Sequence, residues 1–483
     1  MVDTVQQEPI LALSFCADLS LVEQQDGSVL LQTLVAQQRI AQPSPGVRAV
    51  LRRLHTVEGS SAEQLLETAF QHEGVSGLPT VLALLEQLTQ HQCLQATLVV
   101  AGQEWIVVSP LPSAYRCTGT PSTTETFFQL SRFAYMRNEN QSLVLASSLT
   151  LSTFLLRDWR VTAVLHLLAA PHTVTELAGK LPEVPCAVIS LFMRLLLSAH
   201  LVSAVASREC ESEEPSSLHQ WEFHDLLFHT QSRAGRTATS RGATFRFLGK
   251  VKPLPAVKTP MTNDAIPLFQ PDMERLKLCD VSLTRVMEER CSTRKHGTTP
   301  IHVRQLSEFL YRTARIRHFP EPPLGIQGTY ERSNRPYPSG GACYELELYV
   351  VVNACRGLAA GLYHYRPDHH QLEKIVDRTH HIDALLAEAS ASADQQDHPQ
   401  ILIILAARFQ RVTWKYEAMA YATILKNVGA LYQTMYLVAT AMGLAACALG
   451  SGNAERFAAV AGTNYYEETS VGEFMLGSAV DDL

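Results

Sequence analysis

The chain has 483 residues, too many for one hydrophobic core, and 46% hydrophobic with 18% charged residues is the mixture of a folded, multi-domain protein. A formal net charge of −7 works against non-specific attraction to nucleic acid or anionic membranes, while leaving room for a local basic pocket. The opening MVDTVQQEPILALSF lacks the features of a secretion signal, no apolar run reaches the roughly 20 residues that span a bilayer, and the 10 cysteines show neither CxxC pairs nor zinc-ligand spacing, so a reduced, cytoplasmic protein is expected.

The first two-fifths contain an internal repeat. SLVEQQDGSVLLQTL predicts a hairpin turning at Asp26-Gly27, and FAYMRNENQSLVLASS is its later counterpart. VRAVLRRL (Val47 to Leu54) and VTAVLHLL (Val161 to Leu168) each have apolar residues at helical spacing. Each precedes a capping signal, Ser60…Glu63 and Thr173…Glu176, in which hydroxyl and carboxylate satisfy each other's exposed amides. A third helix follows in both copies, where Val81, Leu84, Leu85, Leu88 and Leu94 answer to Val188, Leu191, Phe192, Leu195 and Leu201. Each copy then ends in a β-like run, LQATLVV or LVSAV. Strands, three helices and a wing predict two winged-helix modules, residues 1–110 and 111–205. Residues 1–205 carry 11 Lys+Arg against 16 Asp+Glu, with Lys180 the single lysine, which excludes a DNA reader needing cations for phosphates. Two roles remain open for these modules: gripping an extended peptide along a sheet edge, or bracing a dimer.

Residues 206–264 are expected to be a linker and arm. ASRECESEEPSSLHQ is polar and acidic; Trp221, Phe223, Leu226, Leu227 and Phe228 predict an apolar helix face; Ser232 to Gly242 reads as a loop. His224 and His229 have no ligand-type partner at metal spacing and are read as ordinary histidines. VKPLPAVKTP is extended by its prolines and leads into a last domain, 265–483.

That domain holds the chemistry-bearing motifs. A helix over VRQLSEFLYRTARIRHF buries Leu306, Phe309 and Leu310 and ends in Arg312, Thr313, Arg315 and Arg317, guanidinium groups beside a hydroxyl that suit a phosphate. RPYPSGGA (Arg335 to Ala342) offers glycines that let backbone approach a flat ligand, and YELELYVVVNA alternates as a strand with one polar face should. ILIILAARF predicts a fully buried strand, Tyr416 to Met442 a long helix interrupted by Lys426, Asn427 and Gln433, and GLAACALGSG a buried strand ending at glycines.

In this order, RTAR, RPYPSGGACYELELY, WKYEAMAY, NVGALYQTMYLVATAMGLAACALGSG and GEFMLG resemble the nitroreductase-like flavoproteins, and more closely their SagB/ThcOx-type branch, the azoline oxidases of cyanobactin biosynthesis. The resemblance implies an α+β fold in which two winged-helix modules precede an FMN-binding domain, and an enzyme that oxidises thiazoline or oxazoline rings in a precursor peptide. It places Arg312, Thr313 and Arg315 on the FMN phosphate and ribityl chain, with Arg317 an alternative in register. Pro338, Ser339 and Gly340 would lie along the isoalloxazine, Leu449 and Gly450 near its N5, and Gln433 near the flavin or a partner subunit. Lys415 and Tyr416 match the catalytic pair of the azoline oxidases, with Tyr416 the expected base, its pKa lowered by Lys415. A homodimer with FMN at the interface is implied. Two other readings stay open: an NAD(P)H-dependent nitro- or quinone reductase of the same fold, and a non-enzymatic winged-helix regulator.

Overall fold

Two compact units divide the chain between Thr239 and Ser240. The computed structural model describes residues 8–480 apart from 33–36, 57, 117–124, 206, 208–215, 236–239, 322–329 and 396. Most of the linker read at 206–220, part of the loop read at Ser232 to Gly242, and Cys117 and Cys210 therefore lie outside the described residues; the described cysteines are all free. No helix among the described residues is long and apolar enough to cross a membrane.

In the first unit, β1 (Ile10–Phe15), β2 (Ser20–Glu23), β3 (Val29–Gln32) and β4 (Gln37–Ile40) precede α1 (Pro45–Leu54), α2 (Ala62–Glu73) and α3 (Gly77–Gln90), followed by β5 (Leu94–Val100) and β6 (Gln103–Ser109). Then come β7 (Phe127–Leu130), β8 (Ala134–Glu139), β9 (Ser142–Ser147), β10 (Thr153–Leu156), α4 (Trp159–Leu167), α5 (Val174–Lys180), α6 (Cys186–Ser198) and β11 (Val202–Val205). The β2–β3 hairpin turns at Asp26-Gly27, where the Asp26 carboxylate accepts from the Ser28 amide at 3.0 Å and Gly27 takes φ +78°. The capping box of α2 is Ser61 with Gln64, one residue later than expected, because the Ser60 backbone pairs with Leu13 instead. That of α5 is Thr173 with Glu176, as read.

The repeat does not produce two separate cores. One antiparallel sheet of order β1-β5-β6-β10-β9-β8 takes three strands from each copy, so β5 is an inner strand and not a terminal wing. Val81, Leu85 and Leu88 of α3 share a single cluster with Val188, Phe192 and Leu195 of α6. Two short helices follow, α7 (Ser216–His219) and α8 (Phe223–Ser232). The apolar face expected of α8 is mostly outward: Leu226 and Thr230 are buried, while Phe223 and Phe228 are exposed.

The second unit contains β12 (Ala265–Pro267), α9 (Met273–Cys279), α10 (Leu283–Glu289), α11 (Val303–Ala314), β13 (Leu346–Val352), β14 (Gly361–Arg366), β15 (Gln371–Asp377) and α12 (His380–Ser392). It continues with β16 (Ile401–Arg408), α13 (Gln410–Thr413), α14 (Ala420–Ala441), β17 (Leu444–Leu449), α15 (Ala454–Ala461) and β18 (Glu468–Ser478). Its seven strands form an antiparallel sheet of order β12-β15-β14-β13-β16-β18-β17. Helices α11 and α14 cover one face, with Phe309, Leu431 and Phe474 in a common cluster; α12 and α15 cover the other, with Leu386, Phe457 and Met475. Because both faces are covered, β13 is buried at every residue and not alternately. Its polar side chains are paired inside, Glu347 with His364 and Arg408. The long helix starts at Ala420, four residues later than expected, since Ala418 at φ +60° breaks the helical path and leaves Lys415 and Tyr416 in a turn.

Candidate functional site

The loop before β13 is built from the inside. Gly340–Ala342 form a 3-10 turn in which Gly341 takes φ +63°, a conformation costly for any residue with a Cβ. Helix α14 holds this turn through one buried amide: Asn427 Oδ1 accepts from the Gly340 N–H at 2.9 Å, and its Nδ2 donates to Ser339 Oγ at 3.2 Å and Glu345 Oε1 at 2.8 Å. Thr423, one turn earlier on the same face, lies so close that a Cβ at Gly340 would overlap its methyl group. Burial pushes the Glu345 carboxyl up, more than the bonds from Asn427 and Ser339 pull it down.

A second segment reaches the same turn. Arg411 of α13 is fully buried and donates to the carbonyls of Cys343 (2.7 Å), Leu254 (2.7 Å) and Glu331 (2.9 Å), which ties three loops together. Just beyond it, Lys415 Nζ donates to the Gly341 carbonyl at 3.1 Å, and a Cβ at Gly341 would overlap both Lys415 Nζ and the Tyr416 hydroxyl. Gly341 and the adjacent Lys415 and Tyr416, distant from it in sequence, therefore share one point. Burial lowers the Lys415 pKa, helped by Arg332 and Arg411 against the opposing Cys343; burial raises that of Tyr416. The direction at Tyr416 is opposite to the lowering by Lys415 expected from the sequence, because burial of the phenolate and the neighbouring Cys343 both act to raise it.

The other sequence-derived residues fall into three places. At the end of α11, Arg312 is engaged by Asp280 and by Glu308 (3.2 Å), and Thr313 is fully buried with its hydroxyl donating to the Phe309 carbonyl at 2.8 Å. Arg315 donates to the Tyr311 carbonyl and lies 4.4 Å over that ring. Arg317 and His318 pair through their backbones with Asn334, which brings the RTAR end beside the RPYPSGG segment. Pro338, Ser339 and Gly340 follow in that segment. Leu449 and Gly450, at the end of β17, line a cavity of about 310 Å³ with Tyr432, Gly472 and Glu473. Tyr432 stands on α14 about 8 Å along the axis from Asn427, at about 1.5 Å per residue. Gln433 is exposed, its amide 4.0 Å from Met287 Sδ.

Sequence reasoning missed Asn427 as an anchor, along with Glu345, Arg411, Phe245 and Tyr330. Asn427 carried a usable signal, a polar residue four after Thr423 in a mostly apolar helix. The loop residues carried none.

Comparison with known proteins matches three segments of the chain to family models. A model of the nitroreductase family matches residues 287–478, a ThcOx helix-turn-helix model matches 8–118, and a cyanobactin oxidase ThcOx model matches 128–238. A nitroreductase-like protein of Methanocaldococcus jannaschii is 31% identical over 189 residues, 39% of this chain and 86% of its own. The trifolitoxin-processing protein of Rhizobium leguminosarum bv. trifolii is 31% identical over 25% of this chain and 33% of its own, and the microcin B17-processing protein of Escherichia coli 30% identical over 23% and 42%. The chain belongs to the nitroreductase family, and ahead of the domain so matched it carries two segments that match ThcOx models.

Proposed function

We propose that the protein is an FMN-dependent oxidase that converts thiazoline and oxazoline rings of ribosomally made peptides into thiazoles and oxazoles, working as a homodimer with dioxygen as the final electron acceptor. The observation that carries this reading is the convergence of Lys415 Nζ and the Tyr416 hydroxyl on Gly341. Two relatives named for processing a trifolitoxin and a microcin support a peptide substrate.

The residues present fit a flat, anionic cofactor. Gly340 and Gly341 let Thr423, Lys415 and Tyr416 close directly on the backbone of the turn, and along Ser333 to Tyr337 the buried Ser333 Oγ, Arg335 Nε and Tyr337 hydroxyl have no hydrogen-bond partner among the described residues. Arg315 and Arg317 would hold the phosphate, since Arg312 is committed to carboxylates. FMN, when bound, supplies the hydride acceptor for the ring Cβ. The protein must then remove the proton from Cα. Lys415, with its ammonium form disfavoured, is the better base, and Tyr416, kept protonated, donates a hydrogen bond that orients the ring. This exchanges the roles expected from the sequence.

The test is the visible spectrum of the purified protein, then incubation with a thiazoline peptide in air. Bound flavin and a mass loss of one H₂ per ring are expected. Lys415→Ala should lower turnover by roughly 10²- to 10⁴-fold and Tyr416→Phe by less, with FMN retained in both. Near-full activity in both variants would remove the assignment. NAD(P)H consumption without ring oxidation would favour the nitro- or quinone reductase reading instead.

A further inference from the structure

We propose that residues 240–254 form a strap belonging to the Lys415–Tyr416 centre, in which Phe245 is a positioning residue that walls the lysine amine. This strap lies between the segments matched by the family models, 128–238 and 287–478. It is laced to the catalytic turn along its length. Gly242 and Glu417 exchange backbone bonds (3.3 and 2.9 Å), and the Phe245 N–H donates to the Lys415 carbonyl at 3.2 Å. Thr244 Oγ1 donates to Glu417 Oε2 at 2.9 Å, Trp414 Nε1 to the Val251 carbonyl at 2.7 Å, and Arg411 to the Leu254 carbonyl at 2.7 Å. Phe245 and Phe247 pack against the core of the unit while Leu248 (49%) and Val251 (53%) stay exposed, and the strap's hydrogen bonds concentrate on Arg411 to Glu417.

What the strap builds is a ring box. Phe245 meets Trp414 edge-on, and Trp414 stacks on Tyr330 at an interplanar angle of 3°. Lys415 Nζ sits 5.7 Å from the Phe245 ring centroid, 5.2 Å from that of Tyr330 and 5.3 Å from that of Tyr416. The ionisable groups acting on it from the neighbouring elements are Cys343, Tyr330, Arg332, Arg411 and Tyr416; the strap's own Arg246 faces Glu417 at 3.8 Å. Two effects of the rings oppose each other. Their electron-rich faces favour the ammonium, whereas their displacement of water favours the neutral amine. Desolvation is the larger influence on Lys415, so the walls work mainly by keeping it dry.

This inference rests on Lys415 being the base, so its test is chosen to need no azoline. Acylation of Lys415 by acetic anhydride, followed by peptide mass across a pH series on the full-length, FMN-loaded protein, reads the amine's titration directly. In Phe245→Ala the midpoint should climb toward that of a solvent-exposed lysine. Phe245→Leu, apolar but without a ring face, should hold it near the wild-type position. Trp414→Phe, which keeps a ring and cuts the tether to Val251, should move it upward as well, and serves if Phe245→Ala does not fold. Turnover at neutral pH should fall roughly tenfold for each unit the midpoint climbs. An unchanged or lowered midpoint overturns the inference whatever happens to turnover. A raised midpoint in a protein that oxidises no azoline leaves the strap standing and removes the functional reading.

Discussion

Gly341 concentrates the chemistry of the site into one backbone position. An alanine there pays for φ +63°, about 1–2 kcal/mol, and places its methyl group where Lys415 Nζ and the Tyr416 hydroxyl now lie. Both are ends of adjustable side chains, so the fold absorbs the change by moving them. Gly341→Ala should therefore unfold only a few degrees lower while losing on the order of 10²-fold in kcat, the usual result of misplacing catalytic groups by about an ångström. A thermal melt beside a turnover assay separates the two. Asn427→Ala acts differently. It leaves the part-buried Gly340 N–H without its acceptor and the buried Glu345 without its closest donor, at a cost of about 1–3 kcal/mol for a buried group left unpaired. The expected outcome is a clear loss of stability together with weaker FMN retention on dialysis. Lys415, Tyr416 and the Gly340–Gly341 turn were legible in the sequence because they are contiguous motifs. Asn427, Arg411 and Phe245 were not, because each acquires its role from a partner far along the chain: Gly340, Cys343 and Lys415.

At the scale of elements, β13, β14, β15 and β16 hold a buried charge chain. His364 is bonded to Glu373 at 3.0 Å and Glu347 at 3.1 Å, Arg408 to Glu347 at 3.3 Å, and Arg366 to Glu373 at 3.2 Å. Burial by itself would raise the Glu347 carboxyl, but the His364 bond and the charges of His364, Arg408 and Arg335 bring it down to about 2, and the same carboxylates raise His364 against burial. The two shifts act at opposite ends of the pH scale. Glu347 contributes stability that is fully present above its unfolded value of 4.5 and is lost as pH falls toward about 2. His364 contributes stability that is present below its unfolded value of 6.5 and is lost as pH rises through its raised folded value. Glu347→Gln should flatten the acid limb of a denaturant-midpoint against pH curve, and a limb as steep as the wild type's would show that other carboxylates carry it. This network also explains why β13 was misread. Glu345 and Glu347, two residues apart with apolar neighbours, look like the start of an alternating strand, and only the helices on both sides of the sheet turn both faces into an interior.

For the whole molecule, the duplicated helix triplets and the order of the C-terminal motifs were visible because both are local patterns repeated or placed in sequence. The joining of the two triplets by one six-stranded sheet was not visible, since the pairing of β6 with β10 links strands of different repeat copies and no local pattern specifies it. The proposed homodimer belongs to this scale as well. Helix α14 leaves Tyr421 and Leu425 exposed at 47% and 40%, and Met287 of α10 is exposed at 51% beside Gln433. The proposed dimer would cover these apolar groups, which are costly to leave in water. Gly429 lies on the same i, i+4 row as Tyr421, Leu425 and Gln433, and a side chain built there meets nothing within 4 Å in the protomer. That space makes a clean test. Gly429→Trp should leave the protomer's fold intact, because its ring points into open space and tryptophan suits a helix better than glycine does. In a dimer that packs α14 against its copy, the same ring would force the two helices apart from the 8–10 Å separation such packing needs. Sedimentation should therefore show the wild type at twice the chain mass and the variant at the chain mass, with flavin content falling in parallel if the cofactor site spans both subunits. A variant that still sediments as a dimer would move the subunit contact away from this face of α14, and a wild type at the chain mass would remove the dimer altogether.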